Sequence, residues 1–226
     1  MTLIKSKYTY EKLKRVEVNG KRRYAAPGGV PVASVTTILD ATKDKTHLIA
    51  WKKRVGEAKA QEIVTEAAGV GTRMHKYLED YIDTGEWPVP GGNPYAQQAH
   101  QMATTIKVHA LDDVNEIWGS EVPLYIPQLY AGTTDLVGVY KGQPCIMDFK
   151  QTNKPKKKEW VEDYYLQMTA YALAHNEVHG TNIREGHVFM CSRNLEYQQF
   201  DLWPDEFDEW SNLWWNRVYQ YYEKYA

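Results

Sequence analysis

Ser120 to Thr152 read SEVPLYIPQLYAGTTDLVGVYKGQPCIMDFKQT, and the way this stretch pairs with itself decides the fold. Apolar and polar residues alternate through much of it, as they do on strands with one face against a core. Turn-forming residues interrupt the alternation at Pro127-Gln128 and Lys141-Gly142. The stretch therefore predicts three strands joined by two tight turns. With Lys141-Gly142 as a two-residue hairpin loop, Tyr140 faces Gln143 and the remaining rungs follow. Asp135 then faces Asp148, and Thr133 faces Lys150. Opposed residues place their Cβ atoms roughly 4.5–5.5 Å apart, and residues two apart on a strand share a face. The register thus predicts two carboxylates side by side with a lysine next to them.

Two such carboxylates repel each other, and one would have to take up a proton. A divalent cation resolves the conflict, because Mg²⁺ and Mn²⁺ take oxygen ligands, often one or two carboxylates plus water. The lysine can then hold or deprotonate the attacking water, or stabilise negative charge that develops on a phosphate. An isolated Asp-x-Lys is a weak pattern that a same-face ion pair at a sheet edge explains better, and Asp135 could belong to a turn. A slip of one residue in register would put the two aspartates on opposite faces.

Outward from the meander, residues 8–39 alternate and carry the turn signals VNGKRRY and PGG, which predicts a hairpin. SVTTIL (34–39) leads into a helical region. Leu48, Trp51, Val55, Ala58, Ile63 and Ala67 fit one or two amphipathic helices interrupted at Gly56. GVGTRMHKYLEDYI (69–82) predicts a further helix with Met74, Tyr77, Leu78, Tyr81 and Ile82 as its apolar stripe. TGEWPVPGGNP (84–94) reads as a loop and residues 95–111 as a helix. Beyond the meander, residues 158–180 form the clearest helix, with Gly180 as its stop. GHVFMCSRN and EYQQFDLW predict a strand pair. Residues 205–225 predict a last helix with an aromatic face of Trp210, Trp214, Trp215, Tyr221, Tyr222 and Tyr225. The order of elements implies a mixed α/β domain.

Composition narrows the function classes. The chain has 226 residues, 43% hydrophobic and 25% charged, which suits a globular protein. Its formal net charge is −2, so contact with a polyanion must come from a local basic patch. Two cysteines, Cys145 and Cys191, are too few for a four-cysteine cluster or a disulfide scaffold and suit a reducing compartment. The basic start MTLIKSKYTYEKLKR lacks an apolar core, so no targeting peptide and no membrane segment is expected.

With these motifs in hand, the chain resembles the PD-(D/E)xK nuclease superfamily in its RecB-like exonuclease branch. GTRMH with His75, GTTD with Asp135, DFK with Asp148 and Lys150, and QMTAY with Gln167 and Tyr171 stand in that family's order. The opening SVTTIL…W is most similar to phage exonucleases and the mitochondrial genome maintenance exonuclease. The resemblance covers roughly residues 30–220. It implies an α/β fold with a restriction-endonuclease-like core: a central mixed sheet, with an antiparallel meander, flanked by helices. One nuclease domain over residues 1–226 is expected, with the hairpin at about 8–39 and the helix at about 205–225 as additions.

The resemblance further implies a Mg²⁺-dependent DNA exonuclease, with Mn²⁺ able to substitute and no iron–sulfur cluster. Asp135, Asp148 and Lys150 would be catalytic; His75, Asp135, Asp148 and the backbone carbonyl of Phe149 would be metal ligands. Gln167 and Tyr171 would lie beside the substrate, with Lys154 and Lys156 drawing in the DNA backbone. Glu79, one helical turn beyond His75, and Glu121, at the head of the first meander strand, would support the ligands. Trp87 and the C-terminal aromatics offer stacking for unpaired bases, although a place in the core suits most of them. DNA strand ends are the expected partner, with a recombinase or single-strand-binding protein in a bacterial or phage-infected cytoplasm. Two other classes remain open: a catalytically inactive DNA-end-binding module, and a structure-specific endonuclease.

Overall fold

The structure is a computed structural model that describes residues 2–3, 7–18 and 20–225, without the side chains of residues 2, 3, 21 and 22. Asn19 of the first hairpin turn, and residues 1 and 4–6 of the basic start read above as no targeting peptide, lie outside the described residues.

The chain begins with β1 (Thr2–Leu3), the hairpin β2 (Lys14–Val18) and β3 (Lys21–Ala25), and β4 (Val32–Ser34). Four helices and the meander follow: α1 (Val35–Thr42), α2 (Thr46–Val55), α3 (Glu57–Thr84), α4 (Pro94–Ala110), β5 (Val114–Ile126), β6 (Tyr130–Tyr140) and β7 (Gln143–Thr152). The remaining elements are α5 (Glu162–His179), β8 (Glu185–Ser192), β9 (Tyr197–Leu202) and α6 (Phe207–Tyr225). The strands form one mixed sheet in the order β2-β3-β4-β6-β7-β8-β9, with β5 on the other side of β6 and β1 alongside β5.

Helices cover both faces. On one, α3 and α4 pack Val70, Met74, Leu78, Met102 and Ile106 against Leu136, Met147 and Phe189. On the other, α1, α5 and α6 pack against Val137, Ile146 and Val188. Helix α5 is enclosed on nearly every side, with Leu166, Met168, Ala170, Tyr171, Ala174 and His175 all buried. The C-terminal aromatics belong to this layer: Trp214 and Tyr221 are fully buried, and the Tyr222 hydroxyl donates to the carbonyl of Leu129.

The meander forms in the expected register, with Tyr140 opposite Gln143 and each rung in step back to Leu136 opposite Met147. There the ladder ends, one rung short of Asp135 and Asp148. Strand β6 leaves β7 and, over Tyr130 and Ala131, pairs in parallel with β4 on that same side. A fork therefore opens along Gly132–Asp135. Lys150 does not face Thr133 as the register predicts. Thr133 pairs with Pro123, and Lys150 with Met190 on β8. The reason is local: an oxygen of Asp135 takes the backbone N–H of Phe149 at 2.7 Å, in place of a ladder bond.

One helix corrects the sequence reading. Residues 69–82 are not a separate helix but the second half of α3, which runs unbroken for 28 residues after Gly56. Its buried residues Val70, Met74, Leu78 and Ile82 recur every four positions, and this packing outweighs the cost of Gly69 and Gly71 in the interior. Among the described residues, no helix is long and apolar enough to cross a membrane.

Candidate active site

The fork brings the candidate residues together. Asp148 and Lys150 lie two apart on β7, on the side of Ile146 that faces α5. Their carboxylate and ammonium form a direct ion pair. Gln167, on α5, donates from its amide to the other oxygen of Asp148 at 3.4 Å. The Lys150 ammonium lies 5.5 Å from the ring centre of Tyr164, one turn earlier on α5. Asp148 is 2% exposed, so its charge exists only by virtue of these partners.

The other half of the cluster comes from α3 and β5. His75 Nδ1 lies 3.3 Å from the Asp135 oxygen that does not take the Phe149 amide. Glu121 stands opposite Asp135, in the rung bracketed by Ser120–Leu136 and Val122–Thr134. Its φ is +49°, in the left-handed region that residues with a Cβ avoid. The alternation of β6 changes phase at the same level. Tyr130 and Val137 share one face although seven residues apart, while Leu136 faces the other.

One ligand atom each from His75, Glu121 and Asp135 lies within 4.8 Å of the others. A set rich in carboxylate oxygens with a single imidazole suits a small divalent cation of the Mg²⁺ or Mn²⁺ kind. The N–H and C=O of one strand residue leave the strand on the same side. Because the Phe149 amide points into the fork toward Asp135, its carbonyl leaves the strand on the fork side too.

The charges are strongly perturbed. Burial pushes the Asp148 carboxyl up to about 6, against the pull of Lys150 and with the push of Asp135. Burial also works against the Lys150 ammonium, but Asp148 and Asp135 outweigh it and hold its pKa above the ordinary lysine value. For Asp135, burial acts upward, while His75, Lys150 and the Phe149 amide bring it below the carboxylate range. Glu121 is exposed, yet partial desolvation and the carboxylates of Asp135 and Glu79 push it up to about 7. Three carboxylates and one lysine thus share a space that holds too much negative charge for all to ionise freely.

Several expected residues sit differently. Glu121, expected only as support, stands among the candidate ligands themselves, while Asp148 lies outside that trio and is turned to Lys150 and Gln167. Glu79 lines the same cleft but pairs with Lys76 at 3.4 Å rather than bonding His75. Tyr171 is 2% exposed and hydrogen-bonds Gln167, so it lies beneath the site and not at its surface. Gly132 makes that position available, since a Cβ there would come 2.7 Å from the Tyr171 hydroxyl. Lys154 and Lys156 line a cavity beside the fork, together with Trp51, read from the sequence only as part of an apolar helix stripe, and Trp160, which the sequence reading did not single out. The one signal was Trp160 itself, a large aromatic in the charged run KKKEWVED. Trp87 packs against the α3–α4 core, on Tyr81 and His100, both at 5.3 Å.

No protein-family model matches the chain. Over 177 residues it is 29% identical to the Xenopus tropicalis protein named mitochondrial genome maintenance exonuclease 1, a match covering 72% of this chain and 48% of that protein. The human protein of the same name is 29% identical over 160 residues, which is 67% of this chain and 45% of its relative. The chain thus spans about half the length of the curated relatives it matches. A crystal structure from Eubacterium rectale, described as a "putative exonuclease", shares the fold. Its TM-score is 0.51 at 13% identity, over 70% of this chain and 65% of that one.

Proposed function

We propose that this chain, a member of a PD-(D/E)xK exonuclease-like family, is a divalent-metal-dependent deoxyribonuclease that hydrolyses phosphodiester bonds from strand ends. The observation that carries this reading is the fork, where Asp135, Asp148 and Lys150 meet His75 and Glu121. A structural ion pair has no need of three carboxylates and a histidine around one lysine. A phosphodiesterase does, because its substrate and its metal both bring charge to the same point.

A cation bound by His75, Glu121, Asp135 and the Phe149 carbonyl, with Asp148 beside them, would stabilise the charge that builds on the phosphate and acidify water. The chain's own groups do the rest. Asp135 is fixed at one oxygen by the Phe149 amide, so its other oxygen keeps its aim. Gln167 holds one oxygen of Asp148 and leaves the other to Lys150. Lys150 is held protonated by its carboxylate neighbours. In that state it donates hydrogen bonds to a phosphate oxygen and to the attacking water, and so orients both. It can act as a base only when the charge on Asp148 is met from elsewhere.

The resemblance to phage exonucleases extends this reading to bacterial or phage DNA recombination or degradation, in the cytoplasm, with a recombinase or single-strand-binding protein nearby. The curated relatives are named for mitochondria instead. The test is digestion of linear and closed circular DNA, single-stranded and duplex, with Mg²⁺, Mn²⁺ or EDTA. We expect linear DNA to be consumed with either metal, circles to survive, and EDTA to stop the reaction. Cleavage of circles would make the chain an endonuclease. Tight binding to ends without hydrolysis would make it an inert end-binding module.

A further inference from the structure

Next to the fork, α2 stands away from the body: none of its residues is buried. Between it and the segment that links β7 to α5 lie two cavities, of about 550 and 890 Å³, both walled by Trp51 of α2 and Trp160. Their charge differs sharply. The nearer one is lined by Lys154 and Lys156 and by no carboxylate. The farther one sets Asp44, Glu159, Glu162 and Asp163 against Lys43, Arg54 and Arg217, with Lys43 paired to Asp163 and Arg217 to Glu162, so its cations are matched by its own carboxylates. Only the nearer cavity suits an anion. It reaches Gln151, which follows Lys150 in sequence, and Tyr164, whose ring lies 5.5 Å from the Lys150 ammonium.

The segment that floors it is fixed in advance. The Thr152 hydroxyl donates to the Lys154 carbonyl at 2.7 Å. The Gln198 side chain clamps Lys156 twice, accepting from its amide at 2.7 Å and donating to its carbonyl at 2.8 Å. Trp160 rises from this segment with 59% of its surface exposed. Such exposure has no role in packing, because a tryptophan in the core would be covered. Drug-sized ligands occupy pockets of roughly 300–1,000 Å³, so the nearer cavity, at about 550 Å³, is the size of a nucleotide.

We propose that this cavity is a subsite for an unpaired nucleotide of the DNA strand whose phosphate lies at Lys150, with its base stacked on Trp160 and its phosphates drawn to Lys154 and Lys156. The assignment rests on the nuclease reading of the fork. Inside a duplex a base gives both faces to its neighbours, and at a duplex end the free face belongs to a whole base pair, so a cavity of single-nucleotide size admits an unpaired base. The enzyme would therefore need at least one unpaired nucleotide beside the bond it cuts.

The test pairs a change in the protein with a change in the strand. Fluorescence anisotropy in EDTA, where no hydrolysis occurs, measures binding of labelled thymidine oligomers that are intact or carry one abasic nucleotide at successive positions. Stacking of a base on an aromatic ring predicts about a tenfold loss of affinity when either partner is removed. We expect wild type to lose about that much for an abasic nucleotide at one position. Trp160→Ala should bind the intact oligomer about tenfold more weakly and be indifferent to the abasic change, and Trp160→Phe should restore most of the loss. Equal binding by wild type and Trp160→Ala, or an abasic penalty that persists in Trp160→Ala, would overturn the subsite. A Mg²⁺ digestion in parallel keeps the two ideas apart. Digestion without the coupling rejects the subsite alone, and coupling without digestion supports it while rejecting catalysis.

Discussion

Glu121 adopts a backbone conformation that costs a side-chain-bearing residue about 1–3 kcal/mol, and it stands opposite Asp135 beside His75. That cost is accepted where a carboxylate would otherwise follow the pleat away from the cluster. Glu121→Gly is therefore expected to leave stability in urea equal to wild type or higher, because it relieves both the strain and the repulsion from Asp135. The same change should weaken Mn²⁺ binding in calorimetry by at least about tenfold. Glu79→Gln should weaken it less, since that carboxylate is already paired with Lys76. A backbone angle leaves no mark in residue types, so the sequence showed an acid at the head of a strand and no more. His75 was legible only through a family resemblance, because a histidine on an amphipathic helix is ordinary. Asp135, Asp148 and Lys150 were legible from counting alone.

The meander's register followed from one turn, because Lys141-Gly142 sets every rung of a local hairpin. What counting could not supply was the end of that ladder. The fork depends on β4, nearly a hundred residues earlier in the chain, pairing with β6. It depends equally on one aspartate side chain taking a backbone amide. Long-range pairing of this kind has no local signature. Nor do the two register shifts of β5, near Val114–Glu116 and Ile117–Gly119. Gly138 lies across from them, where an added Cβ would fall 2.1 Å from the Glu116 carbonyl oxygen. Backbone cannot yield as a flexible side chain can. Gly138→Ala is expected to destabilise the fold by about 2–3 kcal/mol or more in urea denaturation. A loss below about 0.5 kcal/mol would mean that β5 can shift to relieve the contact.

Across the molecule, the two helical layers do different work. The α3–α4 layer carries His75 to the fork from one face, while α5 carries Gln167 and Tyr164 from the other. The amphipathic stripe of α3 was plain in the sequence; α5, buried nearly all round, was recognisable mainly from its length and its glycine stop. Its far end is sealed by the N-terminal segment. His175 bonds the Tyr10 hydroxyl at 3.1 Å and the Thr181 hydroxyl at 2.8 Å, with Tyr8, Trp118 and His179 around it. Burial, with His179 adding to it, pushes the His175 pKa down to about 3, against about 6.5 in an unfolded chain. The fold thus favours neutral imidazole. Its contribution is complete above about pH 6.5 and is lost as pH falls from there toward 3. Urea denaturation should show wild type losing stability over that window more steeply than His175→Gln. Parallel slopes would remove His175 from the account. The centre itself is tested most directly by Lys150→Ala, with its fold verified by circular dichroism and its Mn²⁺ binding by calorimetry, on end-labelled linear DNA with Mg²⁺. The fork as a nuclease centre requires that wild type digest the DNA and that the folded, metal-binding variant not do so. Digestion by that variant at the wild-type rate would contradict it.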